Sequence, residues 1–266
     1  MTIVYRVIPV RPDSLQKHTG SNRICKRRIC HITRLMFIIA VATVDCKVDK
    51  VLEHSYNIHI NINSCKRSAC NMIYRHMFVG YPKGEIKLLP NDEYRNVSLF
   101  RFREKAFLYF ESDEQLVTPE TLCRENLIPF PDGSVWFMMP DIFHYAEPQS
   151  AEHWKRKDPN FTPLLKINRL HEEKISSYIF HHFQLQEERP RPTKIKFSSI
   201  YIFGNTIVMY FEKPDEIDEL DYPGLLKTQN SPNSIWGQLM GEHFLGWPDV
   251  EEPWRPTELV DTENHY

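Results

Sequence analysis

An α+β fold of two tandem β-α-β-β-α units is what this sequence predicts, on three observations. The first is internal repetition at a long period. Ile62-Asn63 matches Ile167-Asn168 at an offset of 105, as do His76 with His181 and Phe78 with Phe183. Leu108-Tyr-Phe-Glu111 matches Met209-Tyr-Phe-Glu212 at 101, while Val135-Trp136 answers Ile235-Trp236 and Glu152-His-Trp154 answers Glu252-Pro-Trp254 at 100. The second is the stretch 164–212, which reads strand, helix, strand, strand. The third is that a sheet with helices on one face leaves the other bare, and a repeat supplies two such sheets to cover each other.

In the second unit, residues 164–169 form an apolar run of strand length. Beyond His171, the residues Ile175, Tyr178, Ile179 and His182 recur at helical spacing and share one face. Glu172 and Glu173 fall in the first turn, where the helix dipole favours negative charge. Two β-branched and aromatic runs then flank Gly204-Asn205, a two-residue hairpin signal. In the first unit residues 97–102 and 106–111 form the matching hairpin. The second helix of each unit is expected near Trp136 and Trp236, and a closing strand at 257–261 mirrors 162–167. At the 105 offset, Ile73 and Met77 stand where Tyr178 and His182 stand in the second unit. The expected architecture is two ferredoxin-like units, 58–162 and 163–266, closing within one chain the kind of α/β barrel that two separate units can form as a dimer. The protein is then a monomeric pseudo-dimer or a homodimer.

Residues 1–57 stand apart as a poorly packed N-terminal extension. They hold ten Lys or Arg against four acids, whereas the remainder holds 23 against 31. An acidic globular part gives no reason to expect nucleic acid as a partner. The apolar run 36–44 is nine residues long, short of the roughly 18 a membrane span needs, so no membrane is expected. Asp45-Cys46 after that run does not suit a signal-peptide cleavage site. Five of the six cysteines precede residue 71, which is not the spread of a disulfide framework, and the expected location is cytoplasmic. Cys25 with Cys30, and Cys65 with Cys70, are spaced more widely than zinc pairs and read as unpaired thiols. The acidic run 215–221 lacks the glycine pattern of a calcium loop. Neither metal nor cofactor is expected.

The second unit resembles the L-rhamnose mutarotase family, small proteins of the dimeric α/β-barrel superfamily. The resemblance covers roughly residues 164–262 and rests on Tyr178-x-x-x-His182, Glu188 six residues on, the hairpin 200–212, Trp236-x-x-x-Met240, and Trp254 before a closing strand. It departs where the family follows its histidine with Trp-Pro-Glu, since this chain has Gln186-Glu187-Glu188, and where adjacent aromatics give way to Trp236-Gly237. What it implies is a cofactor-free sugar mutarotase acting on a monosaccharide.

That chemistry opens and recloses a pyranose ring, which requires an acid and a base near neutral pKa. His182 is the candidate base with Tyr178 assisting, both on one helical face. Glu188 is a candidate acceptor from a sugar hydroxyl, and Trp236 offers a ring face to the sugar's C–H side. His181 lies roughly 100° away round the helix and reads as a neighbour. The competing role for Tyr178, His182 and Trp236 is packing in a core. Two other functions stay open: a non-catalytic module that binds a small ligand or a partner, and a monooxygenase-like or isomerase-like enzyme of the same barrel superfamily acting on a small apolar substrate.

Overall fold

The register of two hairpins organises the protein in the computed structural model, which describes residues 72–188, 195–220 and 224–263. In chain order the strands are β1 (Tyr74–Pro82), β2 (Arg95–Phe102), β3 (Lys105–Ser112), β4 (Leu127–Ile128), β5 (Phe137–Met138) and β6 (Asp141–His144). The short helix α1 (Ala151–Trp154) precedes β7 (Thr162–Arg169) and the long helix α2 (Ile175–Glu188). Then come β8 (Ser199–Phe203), β9 (Thr206–Lys213), α3 (Trp236–Gly241), β10 (Arg255–Pro256) and β11 (Glu258–Glu263). One sheet runs β11-β2-β3-β1-β4, with β5 also on β1, and the other runs β10-β7-β9-β8-β6. Every pairing is antiparallel. This is a mixed α/β protein with few helices. Among the described residues no helix is long and apolar enough to cross a membrane.

Both predicted hairpins form, β2–β3 and β8–β9, and Gly204 takes φ +56° at the tight turn of the second. The edges are exchanged between halves. β6 adds to β8 of the second sheet, and β11 adds to β2 of the first. By pairing, the counterpart of β11 is therefore β6, not the expected 162–167, which lies in β7 next to β9.

Among the described residues the helix expected in the first unit does not form. Residues 74–82 are strand, buried on both faces, with successive side chains pointing to opposite sides. Met77 and Val79 face the second sheet, while Phe78 and His76 lie on the other side against Phe110. Ile73 and Met77 are thus not helical partners of Tyr178 and His182. Their offset of 105 is replaced by 88, since Arg75 stands opposite Glu111 and Pro163 opposite Glu212. Between Pro82 and Pro90 there is little room for a helix, and Asn91 turns the chain by accepting from the amides of Glu93 and Tyr94. This loop buries Ile86 and Leu88 on the outer face of the first sheet. Trp136 does not start a helix either. It leads into β5 with Pro140 four residues on, and its indole donates to the Cys123 carbonyl at 2.6 Å. The extension 1–57, the Ile62-Asn63 match and Cys25, Cys30, His31, Cys46, Cys65 and Cys70 lie outside the described residues.

The inner faces of the sheets meet in an apolar layer of Met77, Val79, Phe100, Phe107, Leu165, Ile167 and Val208. Within it Tyr109 and Tyr210, 101 positions apart, stack with centroids 3.7 Å apart and planes at 14°. Each hydroxyl donates to the glutamate two residues on, Tyr109 to Glu111 at 2.8 Å and Tyr210 to Glu212 at 2.7 Å. Arg156 joins the two carboxylates. Its Nη2 donates to both at 2.6 Å, Nη1 to Glu111 at 2.7 Å and Nε to Glu212 at 3.0 Å. Helix α1 presents the arginine, with Ser150 capping it by accepting from the His153 amide. Burial raises the pKa of both acids. Glu111, which also accepts from Asn96 and Trp154, is held below the ordinary range by Arg156 and these donors. Glu212 has fewer donors and faces the charge of Glu111, and it stays above.

Removing the arginine strands two buried carboxylates, for which breaking a buried pair typically costs about 3–5 kcal/mol. Arg156→Met should therefore lower the urea midpoint sharply. Adding Glu111→Gln and Glu212→Gln to it should recover much of the loss. An Arg156→Met midpoint within error of the parent would show that the clasp carries no net stability.

Candidate functional site

The outer face of the second sheet is covered by α2 and α3, which pack on Ile200, Ile202, Ile207 and Met209. Helix α2 lies down because Tyr178, His182 and Leu185 fall in one row and all three are buried there. Phe180, off that row, is exposed. Tyr178 is 1% and His182 4% exposed. Their rings are 4.1 Å apart, with Trp236 5.0 Å from the imidazole and Phe143 5.2 Å from it on the other element.

The protonation states follow from the contacts. His182 Nδ1 lies 2.9 Å from the Tyr178 carbonyl, which can only accept, so Nδ1 carries the proton and Nε2 keeps its lone pair. Burial lowers the His182 pKa to about 4, and nearby His243 and His181 add to the fall. Burial also raises the Tyr178 phenol above its ordinary value, so the hydroxyl stays protonated. At neutral pH the pair is a bare imidazole nitrogen beside an un-ionised hydroxyl.

Three of the four sequence-selected residues, Tyr178, His182 and Trp236, meet in this layer. Glu188 does not join them, because six helical residues rotate it roughly 240° from His182. Its carboxylate accepts from Ser231, Thr228 and Gln184. Burial raises its pKa, yet these bonds together more than reverse that and hold it at about 2. Glu188 thus ties down the segment that runs into α3 and Trp236. His181 lies beside His243, 5.9 Å between centroids, outside the Tyr178–His182 contact.

Sequence reasoning missed Asn168, fully buried on β7 with Nδ2 lacking a partner. Its strand neighbour Ile167 faces the inter-sheet layer, so alternation puts Asn168 on the side of α2 and α3. Also missed was a second buried histidine. His144 Nδ1 sits 3.0 Å from Asp141 and Nε2 3.2 Å from Glu147, and Arg75 donates to Asp141 at 3.0 Å. The i, i+3, i+6 spacing of Asp141, His144 and Glu147 was a legible signal. Nothing in the sequence near Arg75 pointed to it. Burial lowers the His144 pKa, yet Asp141 and the hydrogen bonds more than reverse this and raise it. Its backbone amide donates to Gln186 on α2 at 2.9 Å, which anchors the helix to β6. Among the described residues no His, Cys, Asp and Glu side chains are grouped to hold a metal. The chain matches no protein-family model, no curated protein and no solved structure.

Burial and pairing give opposite pH effects. A histidine depressed on folding is protonated first in the unfolded chain, so stability is full above the ordinary value of 6.5 and falls as pH drops toward 4. For His182 this loss is roughly 3 kcal/mol. His76, lowered to about 4 by burial, acts in the same sense. The raised His144 does the reverse: its contribution is full below 6.5 and is lost as pH rises through its folded value. In an NMR titration the His182 ring should stay neutral down to about pH 4, while His144 should still be protonated above 6.5. A His182 ring titrating near 6.5 would contradict its enclosure.

Proposed function

We propose that the chain is a tandem ferredoxin-like α/β-barrel protein that binds a monosaccharide in the layer between α2, α3 and the second sheet, and interconverts its anomers without a cofactor. One observation carries this: a neutral His182 with a bare Nε2 and a protonated Tyr178 lie side by side, the two protonation states that acid–base ring opening uses. The buried, unpartnered Asn168 amide adds a donor for a hydroxylated ligand. The L-rhamnose mutarotase resemblance of residues 164–262 gives the substrate class. The exchanged edges β6 and β11 support a barrel closed within one chain as a pseudo-dimer. Cys123 is a buried free thiol, in keeping with a cytoplasmic protein.

In the proposed reaction His182 Nε2 takes the proton of the anomeric hydroxyl. The ring C–O bond breaks as the ring oxygen takes the Tyr178 proton. After rotation of the open aldehyde, the same hydroxyl attacks the other carbonyl face, returning its proton to Tyr178 while His182 reprotonates the anomeric oxygen. Trp236, half-buried on the short helix α3, borders the imidazole and has to swing aside to admit the sugar. A single general acid–base pair supplies about 10²–10⁴-fold, enough because mutarotation already proceeds in water.

The alternative, a non-catalytic module binding a small ligand or partner, is favoured by the near-complete burial of both side chains among Phe143, Trp236 and Phe244. Exchange between anomeric proton signals of L-rhamnose and other aldoses separates the two. Acceleration should be lost in His182→Ala and reduced in Tyr178→Phe, and should persist in His181→Ala, with thermal melts confirming folded variants. No acceleration with any aldose leaves the binding module; line broadening of the sugar signals without exchange would identify it.

A further inference from the structure

At one end of the inter-sheet layer, away from the face that carries His182, two arginines lie over Trp247 and a third joins them through a shared carboxylate. The guanidinium carbon of Arg169 lies 4.6 Å and that of Arg103 5.1 Å from the indole centroid, and the Phe102 ring is 5.2 Å from the same indole. Arg255 faces the same carboxylate oxygen as Arg103. Asp249 Oδ2 is 3.5 Å from Arg255 Nη1 and 3.6 Å from Arg103 Nη2, distances that leave ion pairs without tight hydrogen bonds. Among the described residues Asp249 is the one carboxylate within 4.0 Å of these three guanidiniums. Arg169 has none. It donates Nη2 to the Gly246 carbonyl at 2.7 Å, and its buried Nε has no partner, nor does the buried Arg255 Nη1 hydrogen-bond to anything.

Backbone strain marks the same place. Arg103 takes φ +54° at the β2–β3 turn, whereas the position 101 residues on, in the β8–β9 turn, is Gly204 at φ +56°. A left-handed conformation strains a residue with a side chain, a strain that glycine avoids. The first hairpin nevertheless holds an arginine there, and its guanidinium lies over Phe102 and Trp247.

We propose that Arg103, Arg169, Arg255 and Trp247 form a binding site for the phosphate group of a small phosphorylated organic molecule. Planar guanidinium forks match tetrahedral oxyanions bidentately, and free N–H donors on two of the three arginines supply the bonds. Trp247 and Phe102 offer aromatic surface to the organic part. Asp249 occupies the cluster when the anion is absent and competes with it. The site shares no residue with the proposed sugar site.

The full chain at low salt is titrated with inorganic phosphate, phenyl phosphate and acetate, following tryptophan fluorescence and heat. Phenyl phosphate should saturate below about 1 mM, tighter than inorganic phosphate, and acetate should be weakest. Arg169→Gln should weaken phenyl phosphate at least about ten-fold, the loss expected for one charged bidentate contact. Asp249→Asn should tighten it, and Trp247→Phe should remove the fluorescence change while heat remains. Arg95→Gln, which removes an equal charge paired with exposed Asp113, should change nothing. No saturable signal with either phosphate, acetate binding as well as phosphate, or equal weakening by Arg95→Gln would overturn the site.

Discussion

Two glutamates at equivalent positions of two hairpins are pressed together inside the protein, and one arginine has to satisfy both. Glu111 and Glu212 are each 1% exposed and both bond Arg156. An isolated carboxylate at that depth would be several kcal/mol out of balance. The geometry that satisfies them fixes much else. Tyr109 and Tyr210 must stack so that each hydroxyl reaches its own glutamate, which sets β3 against β9 across the layer. Helix α1 must hold Arg156 between the sheets, and Trp154 at its end both donates to Glu111 and packs on Phe197. Phe197 in turn lies 4.0 Å from the Arg156 guanidinium carbon. The chain between the two halves is thereby pinned at the interface they share.

That constraint explains which part of the repeat was legible. Tyr-Phe-Glu recurs at an offset of 101 because both copies serve one arginine, and the hairpins around it were read correctly from alternation and from Gly204-Asn205. Two of the matches at 105, His76 with His181 and Phe78 with Phe183, joined a strand to a helix. His76 and Phe78 sit two apart on one strand face, whereas His181 and Phe183 sit two apart on a helix, where they point in different directions. Identity of residues without identity of period misled the alignment. Pro82, Pro90 and Asn91 in the sequence were the better guide to that loop. Strands of two residues, β4, β5 and β10, have no local signature at all, since pairing with β1 or β7 creates them.

The candidate site was legible to the extent that it lies on one long helix. Spacing of four brought Tyr178 and His182 together, and the order of elements brought Trp236 to them. Glu188 lies apart from them because proximity in sequence is not proximity round a helix. Asn168 was present in the repeat match with Asn63 but carried no sign that its amide would be buried without a partner. Contacts such as Arg75 with Asp141 join strands of different sheets, 66 residues apart, and are set only by tertiary register.

Burial alone does not decide what a buried side chain can do; its unused bonding capacity does. His144 and His182 are equally enclosed, yet carboxylates at both nitrogens of His144 favour its cation and take up both ring positions. His182, ringed by Tyr178, Phe143 and Trp236, keeps a lone pair. The arginines divide in the same way. Arg156 spends its donors on two carboxylates and is structural, while Arg169 stacks on Trp247 with no carboxylate within 4.0 Å among the described residues and a donor unspent. Residual valence of this kind costs folding free energy wherever it is buried. A ligand that met it at Asn168 on the outer face of the second sheet, or at Arg169 at the end of the inner layer, would return that free energy as affinity.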